Sequence, residues 1–401
     1  MIGKITRPEQ QLTPKMPKAS PALSELALDV YRSSADLGGR LHPITRRSLA
    51  DFLRLTNSYY SNLIEGHYTH PVDIERAIKG ELSSEPAKRS RQIEARVHVE
   101  VQEIIEGKIR DREVELSSLD FICLIHRLFY ERLPDDLRIV RNDETGETRQ
   151  VEPGHYRDTT VKIGRHIPPH PDQLEALMDR FAAIYAPAAF QGTNRVLAAA
   201  AAHHRLAWIH PFLDGNGRVA RLFTDYYLIA SGVDGYGLWT ICRGFARHRD
   251  RYVQHLSDAD APRQGDTDGR GQLTQRGLDR FCRFFLETAL DQIEFMAKLL
   301  DIDGVLDRLK GYIDLRRHKM IPDIEPIKPE AFYLLKEALL SGEFARGEAA
   351  RITGLAERTA RQILRQLTEE GLLVSDTPKG PVRLTFPVAA VEYWLPKLVP
   401  G

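Results

Sequence analysis

Cysteine is scarce: the 401 residues contain three, Cys123, Cys242 and Cys282, each isolated and with no C-x-x-C pair. This excludes a disulfide framework, and it argues against a structural zinc site. An excess of charge of either sign is also missing, because Lys+Arg 56 balances Asp+Glu 56. No global field therefore draws the chain to nucleic acid or anionic lipid, although a local patch stays open. No apolar run approaches the ~20 residues that span a bilayer. The opening MIGKITRPEQ lacks the apolar stretch of a secretory signal. A reducing, aqueous compartment, the cytoplasm, is the expectation. What is present is an ordinary globular composition, 42% hydrophobic and 28% charged. At ~150 residues per domain, the length suggests two or three domains.

Residues 1–22 carry Pro8, Pro14, Pro17 and Pro21 and few large apolar side chains, which predicts an extended arm. Helical spacing follows from Pro21 to about Ile109, interrupted by a polar loop at 84–91, and another helix is predicted over 117–133. Residues 134–171 mix Pro, Gly and Asp with short β-type pieces, Arg149–Val151 and Thr159–Ile163, and predict a hairpin or flap ending at Pro168-Pro169. Helices are then expected over 171–185, 194–209 and 216–230. The second contains the run Leu197-Ala-Ala-Ala-Ala-Ala, the mark of a central helix closely packed by its neighbours. A mobile loop over 257–272, one long helix over 274–317 and a Pro-rich linker over 321–329 come next. The last 70 residues read as helices at 331–340, 346–352 and 357–370 followed by a hairpin, an order that resembles a winged helix-turn-helix. The expected units are 1–110, 111–320 and 321–401.

One segment carries chemistry: His210-Pro-Phe-Leu-Asp-Gly-Asn-Gly-Arg-Val-Ala-Arg221. Gly215 and Gly217 favour a turn over a helix interior, and a periodic helix (Val219, Leu222, Phe223, Tyr226) follows at once. The turn therefore presents backbone N–H groups at a helix N-terminus, a ready anion site. Arg218 and Arg221 share one face of that first turn, where each cation costs ~0.3–1 kcal/mol against the helix dipole. Two of them make sense if a multiply charged anion, such as a polyphosphate, occupies the mouth. Asp214 is the single carboxylate that Mg²⁺ asks of a protein when phosphate and water supply its other ligands. His210, with an ordinary pKa of ~6.5, suits removal of a proton from a hydroxyl. Together these parts suit phosphoryl or nucleotidyl transfer to a hydroxyl.

The segment resembles the signature of the Fic family, HPFx(D/E)GNGRxxR, and fits it at every specified position. Members mostly transfer AMP from ATP to a Ser, Thr or Tyr hydroxyl of a protein. The resemblance implies that His210 is the general base and Asp214 the Mg²⁺ ligand. It implies that Gly215, Asn216, Gly217 and Arg218 form the anion hole, with Arg218 and Arg221 on the outer phosphates. Thr160–Pro169 is similar to the family's flap, so Ile163, Gly164, Arg165 and His166 would border the nucleotide, and the flap edge would pair with the target's backbone. Ser61-Asn-Leu-Ile-Glu65-Gly66 resembles the family's inhibitory helix, (S/T)xxxE(G/N). Its Glu65 would compete with phosphate for Arg221, and some relatives also use that Glu to remove AMP. Tyr252 fits the stretch near the adenine. Asp260 stands where relatives often carry Asn, which leaves another nucleotide open.

His203 and His204 invite a metal reading, but no nearby acid completes a site, so packing or hydrogen bonding is expected. Arg358, Arg361 and Arg365 share a face of the presumed recognition helix and make DNA a candidate partner; a role in docking or in a homodimer competes with it. The expected fold is mainly α: a Fic-type helical core with a β-hairpin flap and a C-terminal winged helix. The expected function is a self-inhibited, Mg²⁺-dependent protein adenylyltransferase that acts on a target protein and on itself. The alternatives are transfer of another phosphate-containing group, or a DNA-binding regulator whose core senses a nucleotide.

Overall fold

The computed structural model describes residues 12–111, 118–141 and 146–400. Pro8 of the expected arm and Ser117 at the expected helix start lie outside the described residues. The first four helices, α1 (Pro21–Gly38), α2 (Pro43–Ile64), α3 (Pro71–Ile78) and α4 (Pro86–Arg110), each begin with proline in the first turn. Proline costs nothing there, since that N–H has no intrahelical partner. This corrects the loop expected over 84–91: Pro86 starts α4 instead of interrupting it. α5 (Leu119–Glu131) is capped by the Ser118 hydroxyl, which accepts from Phe121 N at 3.1 Å.

A two-stranded hairpin follows, β1 (Ile139–Arg141) antiparallel to β2 (Thr148–Gln150). Thr159–Ile163 is not a strand. Its end makes a tight turn at Gly164 (φ 58°), closed by an Ile163–His166 bridge. α6 (Leu174–Tyr185), α7 (Asn194–Ile209) and α8 (Asn216–Ala230) lead into α9 (Ile241–Arg247) and α10 (Arg249–Asp260). α7 is central: Ala198 to Ala202 are all 0% exposed, and small side chains let α6, α8 and α11 (Gln275–Leu299) pack against it. α1 lies along α11, and α2 packs on α4 and α9. The arm is also engaged from Leu12, which is 0% exposed, and Pro14 O accepts from Arg205 Nη2 at 2.8 Å.

Two further expectations change. The polar loop is shorter, because α10 runs to Asp260, and it is pinned: the buried Asp268 carboxylate accepts from Gln264 N at 2.8 Å and Arg276 N at 3.0 Å. The long helix is broken at Leu300, because Asp301 caps a new helix, α12 (Ile302–Arg317), by accepting from Gly304 N at 3.1 Å.

The C-terminal module contains α13 (Ala331–Ser341), β3 (Glu343–Phe344), α14 (Ala349–Thr353), α15 (Glu357–Glu369), β4 (Leu373–Val374), β5 (Val382–Leu384) and α16 (Val388–Trp394). Its strands form an antiparallel sheet in the order β3-β5-β4. α16, which the sequence pattern does not announce, tucks against α12 and α3. Buried Arg316 grips both oxygens of Glu370, at 2.6 and 2.7 Å. The module is also bound to α2, where Thr45 Oγ1 donates to Leu339 O at 2.9 Å and Tyr60 donates to Leu398 O at 3.0 Å. Arg358, Arg361 and Arg365 are exposed on α15, but Glu357 and Glu369 hold Arg361 and Arg365 at 2.7 Å each. No helix among the described residues is long and apolar enough to cross a membrane.

The fully buried alanine stripe gives a direct test of the packing. Ala200→Leu should overpack α7 and cost ~1–3 kcal/mol, read as a lowered urea midpoint. An unchanged midpoint would mean that the stripe has room to spare.

Candidate active site

α7 ends because His210 adopts a left-handed backbone (φ 50°, ψ 61°), and α8 begins after Gly215 (φ 76°). The six residues between the two helices, 210–215, are braced from several sides. Asn216 Oδ1 accepts from Phe212 N at 2.9 Å and Asn216 Nδ2 donates to Phe212 O at 2.8 Å, so one side chain closes the loop from within. The Phe212 ring, 0% exposed, stacks on His126 with centroids 4.0 Å apart. Tyr130 donates to Asp214 Oδ2 at 2.8 Å, and burial beside that carboxylate raises the phenol well above its ordinary value, keeping it a donor. Gly215 is required both for its φ and for space, since a Cβ there would sit 2.7 Å from the Tyr130 ring.

His210 is half-buried. Desolvation, with His166 and Arg157 adding to it, lowers its imidazole to about 4 against the opposing Ala207 backbone and Asp214. The ring is therefore neutral at physiological pH, more firmly than an ordinary histidine. Its backbone is held by Arg157, a buried arginine with carbonyl partners: it donates to His210 O at 2.8 Å, Thr159 O at 2.9 Å and Pro169 O at 2.6 Å. Arg157 thus ties both ends of the flap to the residue at the end of α7. His126 adds a second tie by accepting from Gly154 N at 2.8 Å.

Both motif arginines are engaged by the N-terminal helices. Arg221, 2% exposed, donates from Nε to Ser61 Oγ at 2.9 Å and from Nη2 to Glu65 Oε1 at 2.6 Å. Burial would raise the Glu65 carboxyl, but Arg221 and then Arg218 outweigh it and hold it below its usual range. Glu65 follows the last residue of α2, at the negative end of that helix, and leans over the positive end of α8. A Cβ on Gly217 would collide with Glu65 Oε1, so glycine makes room for the carboxylate at the helix mouth. Gly66 (φ 87°) turns the chain away. Arg218 is held by Asn62 Oδ1 at 3.2 Å and Glu94 Oε2 at 3.1 Å, and the latter oxygen also takes His67 Nδ1 at 2.6 Å.

A cleft of about 780 Å³ opens between the flap and the loop, lined by Thr160, Ile163, Gly164, His210 and Asp214 among others. Arg165 is exposed, and His166 turns inward, bonding Trp208 O at 2.8 Å. Asp260 lies 3.1 Å from buried His204 and 3.7 Å from His166, so it ties the flap to α7. Tyr252 is 4% exposed, stacks on Phe245 at 4.3 Å and donates to His203 Nε2 at 2.8 Å. His203 in turn donates to Thr224 Oγ1 at 2.7 Å. Tyr252 thus sits behind Arg221 rather than on the open cleft wall. His203 and His204 are hydrogen-bonded core residues, but an acid does lie beside them, Asp260 at 3.1 Å from His204; no group of three or more His, Cys, Asp or Glu among the described residues could hold a metal. The exposed Asp214 carboxylate, with one oxygen on Tyr130, fits a divalent cation that arrives with phosphate oxygens of its own.

Arg157, Glu94, Asn62, His67 and Tyr130 escape the sequence reading. Each is a single polar residue far from the motif, and no spacing links it to His210. Asn216→Ala should strand the buried Phe212 N–H and C=O at a cost of ~2–4 kcal/mol, seen as a lowered urea midpoint. A loss below ~0.5 kcal/mol would show that the loop holds without the brace.

Residues 115–228 match the family model described as Fic/DOC family. A protein adenylyltransferase Fic of Culex quinquefasciatus is 35% identical over 168 residues, 40% of this chain and 32% of that protein. One from Aedes aegypti is 32% identical over 261 residues, 63% of this chain and 46% of that protein. The chain therefore spans less than half the length of these curated relatives. Among solved structures, a Fic family protein from Desulfovibrio desulfuricans G20 superposes with a TM-score of 0.53 at 18% identity, covering 92% of this chain and 98% of that one. A Fic domain containing signaling protein from Bacteroides thetaiotaomicron VPI-5482 gives 0.51 at 20% identity, covering 68% and 96%. At these identities the structures show a shared fold, and it is residues 115–228, which carry the intact motif, that match the Fic/DOC family model.

Proposed function

We propose that the chain is a self-inhibited protein adenylyltransferase. It transfers AMP from ATP to a hydroxyl side chain of a protein, itself included as a labelling target. One observation carries the inhibited state: Glu65 Oε1 stands 2.6 Å from Arg221 Nη2, over Gly217, where a terminal phosphate would meet the helix N-terminus. The names of the relatives support the transfer reaction, and the cleft that joins His210, Asp214 and the flap supports its chemistry.

In this reading His210 takes the proton from the incoming hydroxyl. The oxygen forms a bond to the α-phosphorus, the bond from that phosphorus to the β-phosphate oxygen breaks, and pyrophosphate leaves. First-turn N–H groups of α8, with Arg218 and Arg221, neutralise the phosphates. Asp214 would hold Mg²⁺, which when bound supplies further charge neutralisation. Ile163 to His166 would border the nucleotide, while Tyr252 would act from behind Arg221. Arg157 would keep His210 and the flap in register. The three sequence segments would then divide the labour: the N-terminal helices inhibit, the core transfers, and the C-terminal module docks. The locally paired arginines of α15 weaken the DNA-binding alternative, since Glu357 and Glu369 already neutralise two of the three.

Labelled ATP with Mg²⁺ should mark Glu65→Gly strongly and the parent weakly, and His210→Ala in the Glu65→Gly background should lose ~10²–10⁴ in rate. Equal labelling with and without His210 would remove it as the base. If no nucleoside triphosphate labels or binds Glu65→Gly, the whole reading fails.

The pH profile tests the base independently. Because burial lowers the imidazole to about 4, its basic form persists above that value and is lost only as pH falls through it. The kcat/KM of Glu65→Gly for ATP should stay level between about pH 6 and 8. A midpoint near ~6.5 would mean that His210 is not desolvated in the working enzyme.

A further inference from the structure

α2 and α8 meet along a polar seam. Asn57, Ser61 and Glu65 recur every fourth residue on the first, and Arg221 and Asp225 do so on the second, so each set shares one face. Glu65 and Ser61 take Arg221 at one end of the seam. At the other end, Asn57 Nδ2 donates to Asp225 Oδ2 at 2.8 Å. Beyond that contact, residues of α2, α4, α8 and the segment 234–241 line an open cavity of about 740 Å³, the size of a small-molecule site. It shares no lining residue with the His210 cleft.

Its chemistry is specific. Five carboxylates line it against three arginines. One arginine, Arg54, is already committed to Asp51 at 2.6 Å, Glu106 at 2.9 Å and Glu103 at 3.5 Å. Another, Arg46, donates to Gly38 O at 2.7 Å and lies 3.9 Å over the Tyr236 ring. Asp225 lines the cavity with an amide partner, and no lysine or arginine pairs with it among the described residues. Burial raises its carboxyl to about 7, opposed by Asn57 and Arg221 and assisted by Glu106. Tyr226, Trp239, Leu228 and Ile229 supply aromatic and aliphatic wall. With Arg47 counted as the third arginine, carboxylates still outnumber arginines five to three, so an anion adds to that excess while a cation beside Asp225 reduces it and favours the ionised carboxylate. A cation with an apolar body satisfies both the charge and the rings.

We propose that this cavity binds a small organic cation, an amine or amidine carrying an aromatic or aliphatic body, with Asp225 as its counter-ion. The site is separate from the transfer reaction, and its existence does not depend on that reading. A cation seated on Asp225 competes with Asn57, and so loosens the seam whose far end is Glu65.

Tryptamine is a suitable probe, with indole-3-propionate as the charge-reversed control. By calorimetry on the full chain, tryptamine should bind the parent and indole-3-propionate should not. Asp225→Asn, which keeps an acceptor for Asn57, should weaken tryptamine about 10- to 100-fold. Ile229→Trp, which fills the cavity and leaves the carboxylate in place, should weaken it as well. Hydrogen exchange of residues 61–66 should quicken with tryptamine bound. The proposal is overturned if the parent takes up no tryptamine at millimolar concentration, if both variants bind it as the parent does, or if indole-3-propionate binds equally well. Unaltered exchange over 61–66 with tryptamine bound would overturn the link to the seam.

Discussion

A helix N-terminus is a fixed partial positive charge with unpaired N–H groups, and only one anion can occupy it at a time. The start of α8 is such a place. Glu65 occupies it, held by Arg221 and admitted by the missing side chain of Gly217. The carboxylate is singly charged, and its side chain is 37% exposed. Arg221 is buried, at 2% exposure, so the attraction is offset in part by the desolvation of its guanidinium. In the function proposed above, a polyphosphate, with more charge and more donors in reach, would compete with Glu65 for the same mouth.

The surrounding structure serves to keep that mouth and its neighbouring imidazole in position. Two backbone carbonyl systems converge on the loop between α7 and α8. Asn216 holds it from below through Phe212, and Arg157 holds it from the flap side through His210 O. The left-handed conformation of His210 is uncommon for a residue with a Cβ, and these bonds account for its persistence. Burial that keeps the imidazole neutral also weakens it as a base, a trade that suits proton removal only when the acceptor is placed accurately.

The seam between α2 and α8 joins this mouth to a second, anionic cavity. Glu65–Arg221 and Asn57–Asp225 are its two ends, two helical turns apart on α2. A group that alters one end bears on the other through that helix. The C-terminal module adds a third hold on α2, through Thr45 and Tyr60. The helix that ends at Glu65 is therefore in contact with the core, with the second cavity and with the C-terminal residues at once.

Local pattern was enough for much of this molecule. Helix limits at 194–209 and 216–230 and the glycine turn between them follow from residues close together in the chain, because periodicity and turn chemistry act over a few positions; the meeting of Glu65 with Arg221 was expected only from the resemblance of residues 61–66 to a known motif. Elements that depend on a single capping or proline residue were misjudged: Pro86 opens a helix and Asp301 restarts one, and each can be told from a breaker only by what packs beside it. The Arg157–His210, Glu94–Arg218 and Asn57–Asp225 contacts join residues 53, 124 and 168 positions apart. No spacing rule connects such pairs. Their meeting is set by how helices pack around the alanine stripe of α7, and so only the folded chain could reveal them.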